Sequence, residues 1–167
     1  MERIRDLLDP QYVASLDERS LDDLRIMKQE CADYEHAVSY SRRLAQARIE
    51  IIEAEQRRRA SGGSVEELVA ALPDILGAEP GRATAASARL ATPEKPAIEL
   101  RWPDGREELV GDTTLANLPT LDDASLASSV ERLRDFEREL SDLRRDLHAV
   151  LDAIEREIAT RQVAGSS

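Results

Sequence analysis

From residue 122 onward, apolar side chains recur with a seven-residue period. Leu126, Leu133, Leu140, Leu147 and Ile154 form one line, and Phe136, Leu143 and Val150 fall three residues after members of it. Two such lines bring a narrow apolar stripe to one side of an α-helix, the seam through which helices pair in a coiled coil. No Gly or Pro interrupts the stretch from Asp122 or Asp123 to about Gln162, so the pattern predicts a long helix over residues 122–162. Residues 20–60 carry the same period less cleanly. Leu24, Cys31, Val38, Ala45 and Ile52 form the first line (a positions), with Met27 and Tyr34 on the second (d positions). Ser41 and Arg48 then interrupt the second line, while Leu44, Ile49 and Ile51 widen the apolar face. Ser20-Leu21-Asp22-Asp23 reads as a capping box with Asp in the usual Glu/Gln place. Nothing breaks the helix before Ala60-Ser61-Gly62-Gly63. A first long helix over residues 20–60 would be roughly 60 Å long at 1.5 Å per residue.

The remaining segments are shorter and more irregular. Residues 1–19 form a lead-in with a helical turn around Ile4–Leu8, stopped by Asp9-Pro10. In the connector, residues 61–121, Ser64-Val65-Glu66-Glu67 opens a short helix over 64–72 that Pro73 ends. Residues 77–96, rich in Ala, Gly, Pro and Thr, read as a flexible linker. Ile98–Trp102 alternates apolar and polar residues before Pro103-Asp104-Gly105, so residues 98–110 fit a small β-hairpin or an irregular loop anchored by Trp102. Residues 163–167 should fray. The fold class expected is all-α dominated: two long helices in an antiparallel coiled coil, with a short helix and a small hairpin in the connector. The connector is also long enough for a parallel or intermolecular pairing.

The two long helices align without a gap at an offset of 102 residues. Identical pairs then include Leu24/Leu126, Asp33/Asp135, Arg43/Arg145, Ala47/Ala149, Ile52/Ile154, Glu53/Glu155 and Arg59/Arg161, with Tyr34/Phe136 closely similar. A shared heptad phase accounts for the apolar matches alone. The polar ones favour an internal duplication of the helix.

Composition sharpens this reading. Charged residues make up 34% of the chain and aromatics 3%, which suits long paired helices better than an aromatic-packed globule. The net charge of −11 disfavours a protein that binds the nucleic-acid backbone, because phosphate repulsion must be overcome locally. One cysteine, Cys31, allows no internal disulfide and fits a reducing compartment. His36 and His148 lie too far apart in sequence to suggest a zinc site with it. The first residues lack the apolar stretch of an export signal, and no 18-residue apolar run occurs. A cytoplasmic protein is the expectation.

One polar stripe is present twice. Glu35, Ser39, Arg42, Gln46 and Glu50 in the first helix correspond to Glu137, Ser141, Arg144, His148 and Asp152 in the second, with spacings of 4, 3, 4 and 4 in both. That spacing keeps five side chains on one helix face, at heptad positions e, b, e, b and f beside the apolar seam. Such positions commonly carry solvated charge. Serine, however, is a poor helix former at an exposed interior site, and its recurrence in both copies suggests that something packs against it. The chemistry suits guanine. A guanidinium donates to O6 and N7 in two-bond geometry, and a carboxylate accepts from N1–H and N2–H, a pairing adenine cannot copy. Two facing strips suit a ligand with two-fold symmetry.

These residues resemble the RsiG-type anti-sigma factors of actinobacteria, whose two helices each carry the motif E-x3-S-x2-R-x3-Q-x3-D. The resemblance covers both long helices and the order helix–connector–helix. Glu50 stands where that family has Asp, and His148 where it has Gln. The resemblance implies that Glu35, Ser39, Arg42, Gln46, Glu50, Glu137, Ser141, Arg144, His148 and Asp152 bind cyclic di-GMP. It further implies that the loaded protein holds a sporulation sigma factor of the WhiG/FliA type away from RNA polymerase.

Other readings have less to rest on. No phosphate-binding glycine loop, nucleophile elbow or HExxH motif is present, so an enzyme is not expected. Arg57-Arg58-Arg59 suits the negative end of a helix dipole, and Cys31 at an a position reads as a small packed hydrophobe. Trp102 is a contact residue or a lone anchor. The rival class is a scaffolding coiled coil with no small-molecule ligand.

Overall fold

A computed structural model describes residues 1–64, 69–70, 95–111 and 117–164. Among the described residues the fold is carried by α1 over Glu2–Leu8, α2 over Leu21–Ser61 and α3 over Asp123–Ala164, with no strand. Short 3-10 helices occupy Pro10–Tyr12, Leu16–Glu18, Arg106–Val110 and Leu118–Thr120. The two long helices pair antiparallel, and their contacts fall into two compact units. One holds Met1–Tyr40, Lys95–Gly105 and Glu139–Ser167; the other holds Ser41–Glu94 and Arg106–Arg138.

Both long helices begin where local chemistry dictates. At the start of α2 the Ser20 hydroxyl accepts from the Asp23 backbone N–H at 3.1 Å, and the Asp23 carboxylate accepts from the Ser20 N–H at 3.3 Å. This is the reciprocal capping box, with Asp reaching back as Glu usually does. At the start of α3, Asp122 accepts from the Ser125 N–H at 2.7 Å. A left-handed glycine, Gly62 at φ +70°, ends α2.

The heptad reading of the core is met along one line in full. All ten a positions, from Leu24 to Ile52 and from Leu126 to Ile154, are completely buried. The second line is uneven. Phe136 is buried, whereas Met27, Tyr34, Leu143 and Val150 are half-buried. In the first unit Leu16, Leu24 and Ile154 form a cluster against which Tyr12, Met27, Val150 and Ile158 pack. There α1 buries Ile4 and Leu7 completely, and Arg3 clamps Glu30 on α2 through two bonds of 2.7 and 2.8 Å. In the second unit Arg48, which interrupts the apolar line, is buried and donates to the Val110 carbonyl.

The expected hairpin over residues 98–110 does not form. Gly105 makes the turn at φ +68°, but Arg106–Val110 then coils into a 3-10 helix. Leu100 and Trp102 are buried, and the Trp102 indole N–H donates to Glu139 on α3 at 3.2 Å. Trp102 is thereby tied to a helix while the residues after the turn coil instead of returning as a strand, and the anchored loop is the outcome. The short helix expected over 64–72 and the linker over 77–96 lie mostly outside the described residues, as do residues 165–167.

The duplication extends beyond the long helices. The 3-10 turns Leu16–Glu18 and Leu118–Thr120 stand at the same offset of 102 residues, and each receives an arginine from the end of the opposite long helix. Arg59 donates to the Leu118 and Leu121 carbonyls, and Arg161 donates to those of Leu16 and Arg19. Each arginine is braced by a glutamate four residues earlier, Glu55 or Glu157. Equivalent anchors at equivalent positions are difficult to attribute to heptad phase alone.

Glu55 is buried and accepts from Arg58 and Arg59. Hydrogen bonding from Arg58 outweighs burial and, with Arg59, holds its carboxyl at about 2, below the ordinary 4.5. A depressed carboxyl contributes stability above its unfolded value that is lost as pH falls toward the folded one. Glu55→Gln should therefore destabilise the protein by about 1–3 kcal/mol at neutral pH. In urea denaturation, the gap from the parent should close between pH 4.5 and 2; a gap that stays constant would show that Glu55 is not the titrating group.

Candidate ligand-binding site

Heptad burial fixes the rotation of α2 and α3, which turns the e and b positions of one helix toward those of the other. In the first unit this brings Glu35 and Ser39 of one stripe to Arg144 and His148 of the other. The Ser39 hydroxyl donates to Glu35 Oε1 at 2.6 Å, Arg144 Nε donates to the same oxygen at 3.0 Å, and His148 Nε2 lies 3.1 Å from it. Arg144 Nε also lies 3.1 Å from the Ser39 hydroxyl, which accepts from it. In the second unit Glu137 plays the part of Glu35. Arg42 Nη1 donates to its Oε1 at 3.3 Å and Gln46 Nε2 donates to the same oxygen at 3.0 Å.

The pattern is the same in both places. The first-position glutamate of each stripe accepts from the third- and fourth-position residues of the other. Gln46 and His148 therefore occupy matched positions, and an imidazole nitrogen reaches the oxygen that a carboxamide reaches in the other copy. The serine's place is explained by hydrogen bonding: buried Ser39 links Glu35 to Arg144. Ser141, its counterpart, is half-buried on the matching face.

The electrostatics are those of a partly dry surface strip. Burial pushes the Glu35 carboxyl upward, but hydrogen bonds from Ser39 and Arg144 and the neighbouring His148 outweigh it and hold the group below its ordinary range. Arg42 Nε is buried and has no partner among the described residues, so one donor in the second cluster is unsatisfied. The fifth positions stand apart. Glu50 and Asp152 make no side-chain hydrogen bond or ion pair among the described residues, and burial followed by the charge of Glu53 raises the Glu50 carboxyl.

Two rungs of this polar ladder lie outside the five-residue motif. Lys28 pairs with Glu155 at 2.8 Å in the first unit, and Arg134 pairs with Glu53 at 2.8 Å in the second. All four residues stand seven positions from a stripe member: Glu35, His148, Ser141 and Gln46. Extending each stripe by one heptad would have found them.

A double-mutant cycle on Glu35→Gln and Arg144→Gln should give a coupling of about 0.5–1 kcal/mol by urea denaturation, the range for partly exposed pairs. Additive effects would mean that the two stripes do not hold each other in solution.

Comparison with known proteins bears on the same stripe. A model of the RsiG-like family matches residues 10–76, the segment that contains Glu35, Ser39, Arg42, Gln46 and Glu50; the second stripe lies outside the matched span. No curated protein matches the chain. The match supports the RsiG-type resemblance and an anti-sigma factor role, with a sigma factor as the general class of partner. No helix among the described residues is long and apolar enough to cross a membrane.

Proposed function

Since residues 10–76 match the RsiG-like family, we propose that this chain binds cyclic di-GMP through its two polar stripes and, once loaded, holds a WhiG/FliA-like sigma factor away from RNA polymerase. It acts as a cytoplasmic binding protein and not as an enzyme. One observation carries the reading: a carboxylate met by a guanidinium and a second nitrogen donor, built twice from equivalent positions, Glu35 with Arg144 and His148, and Glu137 with Arg42 and Gln46.

That set is chemically complementary to guanine. The glutamate can accept from N1–H and N2–H, and the arginine can donate to O6 and N7. Within the chain the same groups satisfy each other. Binding is then an exchange of internal hydrogen bonds for hydrogen bonds to the base, close to neutral in number. The net affinity comes from what the exchange adds: contacts to the anionic phosphates, satisfaction of Arg42 Nε, and base surface removed from water. The two sets are equivalent, one in each unit, and each can receive a guanine.

Self-satisfaction of the stripes is also the observation that favours the rival reading, a scaffolding helix pair with no small-molecule ligand. Isothermal titration calorimetry with cyclic di-GMP separates the two. The proposal expects binding, with Arg42→Ala and Arg144→Ala each weakening it by about 1–3 kcal/mol, the range for a lost bidentate contact to guanine. Absence of heat and of any thermal stabilisation at ligand concentrations far above micromolar would favour the scaffold. Full binding by both variants would move the site elsewhere.

A further inference from the structure

A cyclic dinucleotide brings two phosphodiester charges as well as its bases, and it approaches a chain whose net charge is −11. Within the five-residue stripes the arginines are Arg42 and Arg144, each held against a glutamate and matched there to a base edge. Three other lysine or arginine side chains stand in the e and b rows of the two long helices: Arg25, Lys28 and Arg134. Arg25 is tied to Asp22 in the first turn of its own helix. Lys28 and Arg134 instead reach across to the opposite helix, where Glu155 and Glu53 hold them. We propose that Lys28 and Arg134 are the phosphate-binding residues beside the two guanine clusters, each kept in reserve by a glutamate that yields it to the ligand. The assignment rests on the nucleotide reading above and names the groups that meet the ligand's charge.

Each unit supplies the same juxtaposition. In the first, Lys28 stands two turns before Glu35, roughly 10 Å along the helix, and pairs with Glu155 at 2.8 Å. In the second, Arg134 stands one turn before Glu137 and pairs with Glu53 at 2.8 Å and with Glu131 of its own helix at 3.2 Å. Both cations are within the reach of one nucleotide from base edge to phosphate. The two acids that reach across, Glu53 and Glu155, correspond at the offset of 102 residues, but the cations do not: Lys28 corresponds to Val130 and Arg134 to Ala32. Duplication therefore accounts for the glutamates alone, and a cation beside each cluster has a separate origin. The tethers are weak. Lys28 and Glu155 are 46% and 52% exposed, and Arg134 and Glu53 are 49% and 31% exposed, so these pairs hold their partners loosely. A phosphodiester offers two charged oxygens to an ammonium or guanidinium, and the vacated carboxylate returns to water. Each glutamate thus competes with the ligand for its cation, which sets the sign of the test.

Calorimetric titration of the full chain with cyclic di-GMP tests the assignment. Lys28→Met and Arg134→Met should each weaken binding about threefold to fivefold, the scale of a half-exposed charged contact, and Lys28→Arg should retain it. Glu155→Gln and Glu53→Gln should bind at least as tightly as the parent, because each frees a cation and removes a nearby negative charge. Added salt should weaken binding less in the Lys28→Met/Arg134→Met double variant than in the parent. Arg101→Gln, an equal loss of charge in the connector, should bind as the parent does. If Lys28→Met and Glu155→Gln weakened binding alike, the rung would only hold the helices together, and the assignment would fall. Parental affinity in both methionine variants, or an equal loss in Arg101→Gln, overturns it too. In each of those cases the nucleotide reading stands. Absence of binding by the parent overturns that reading and this assignment together.

Discussion

Complete burial of the ten a-line side chains is the constraint on which the polar chemistry depends. Once that line faces inward, neither long helix can rotate without exposing leucine or isoleucine to water, at about 0.8 kcal/mol per methylene. The e and b positions are then committed to the flank of the helix pair. In each unit the antiparallel direction sets which of them meet. Glu35 finds Arg144 and His148, and Glu137 finds Arg42 and Gln46. The apolar seam thus prescribes the polar contacts without contributing a polar atom.

A site assembled this way is self-complementary. Its acceptors and donors are matched to each other as they would be to a guanine edge, so the first-position glutamates and the third- and fourth-position donors are paired within the protein. Leaving such groups unpaired in a partly dry strip would cost more than pairing them. This arrangement also means that affinity cannot be read from the number of polar groups in the stripe. It depends on the difference between internal and external bonds, and a single replacement such as Gln by His alters that difference in one copy only.

Much of this was legible in the sequence because it is periodic. The a line was readable from Leu and Ile at intervals of seven, and the twin stripes were readable because identical spacing recurs at one offset. The start of the first long helix followed from Ser20, whose capping needs only neighbouring residues. What sequence left open depends on distant partners. The orientation of the helix pair was underdetermined by a long connector. The alternation around Trp102 resembled a strand until packing against Glu139 claimed it. Arg48 looked like a break in the seam, and its carbonyl partner, Val110, lies 62 residues away. The flanking rungs Lys28–Glu155 and Arg134–Glu53 carried a signal, the heptad step, but only the antiparallel register shows which cation meets which acid.

On the proposed function, occupying the paired stripes changes what this protein can hold. The most direct measurement is capture of a purified WhiG/FliA-type sigma factor on the immobilised full chain, with and without cyclic di-GMP, at one ionic strength. The sigma factor should be retained only when the dinucleotide is present, and that dependence should be lost when Arg42 and Arg144 are both replaced by alanine. Equal retention with and without the dinucleotide, or no retention in either case, would contradict it.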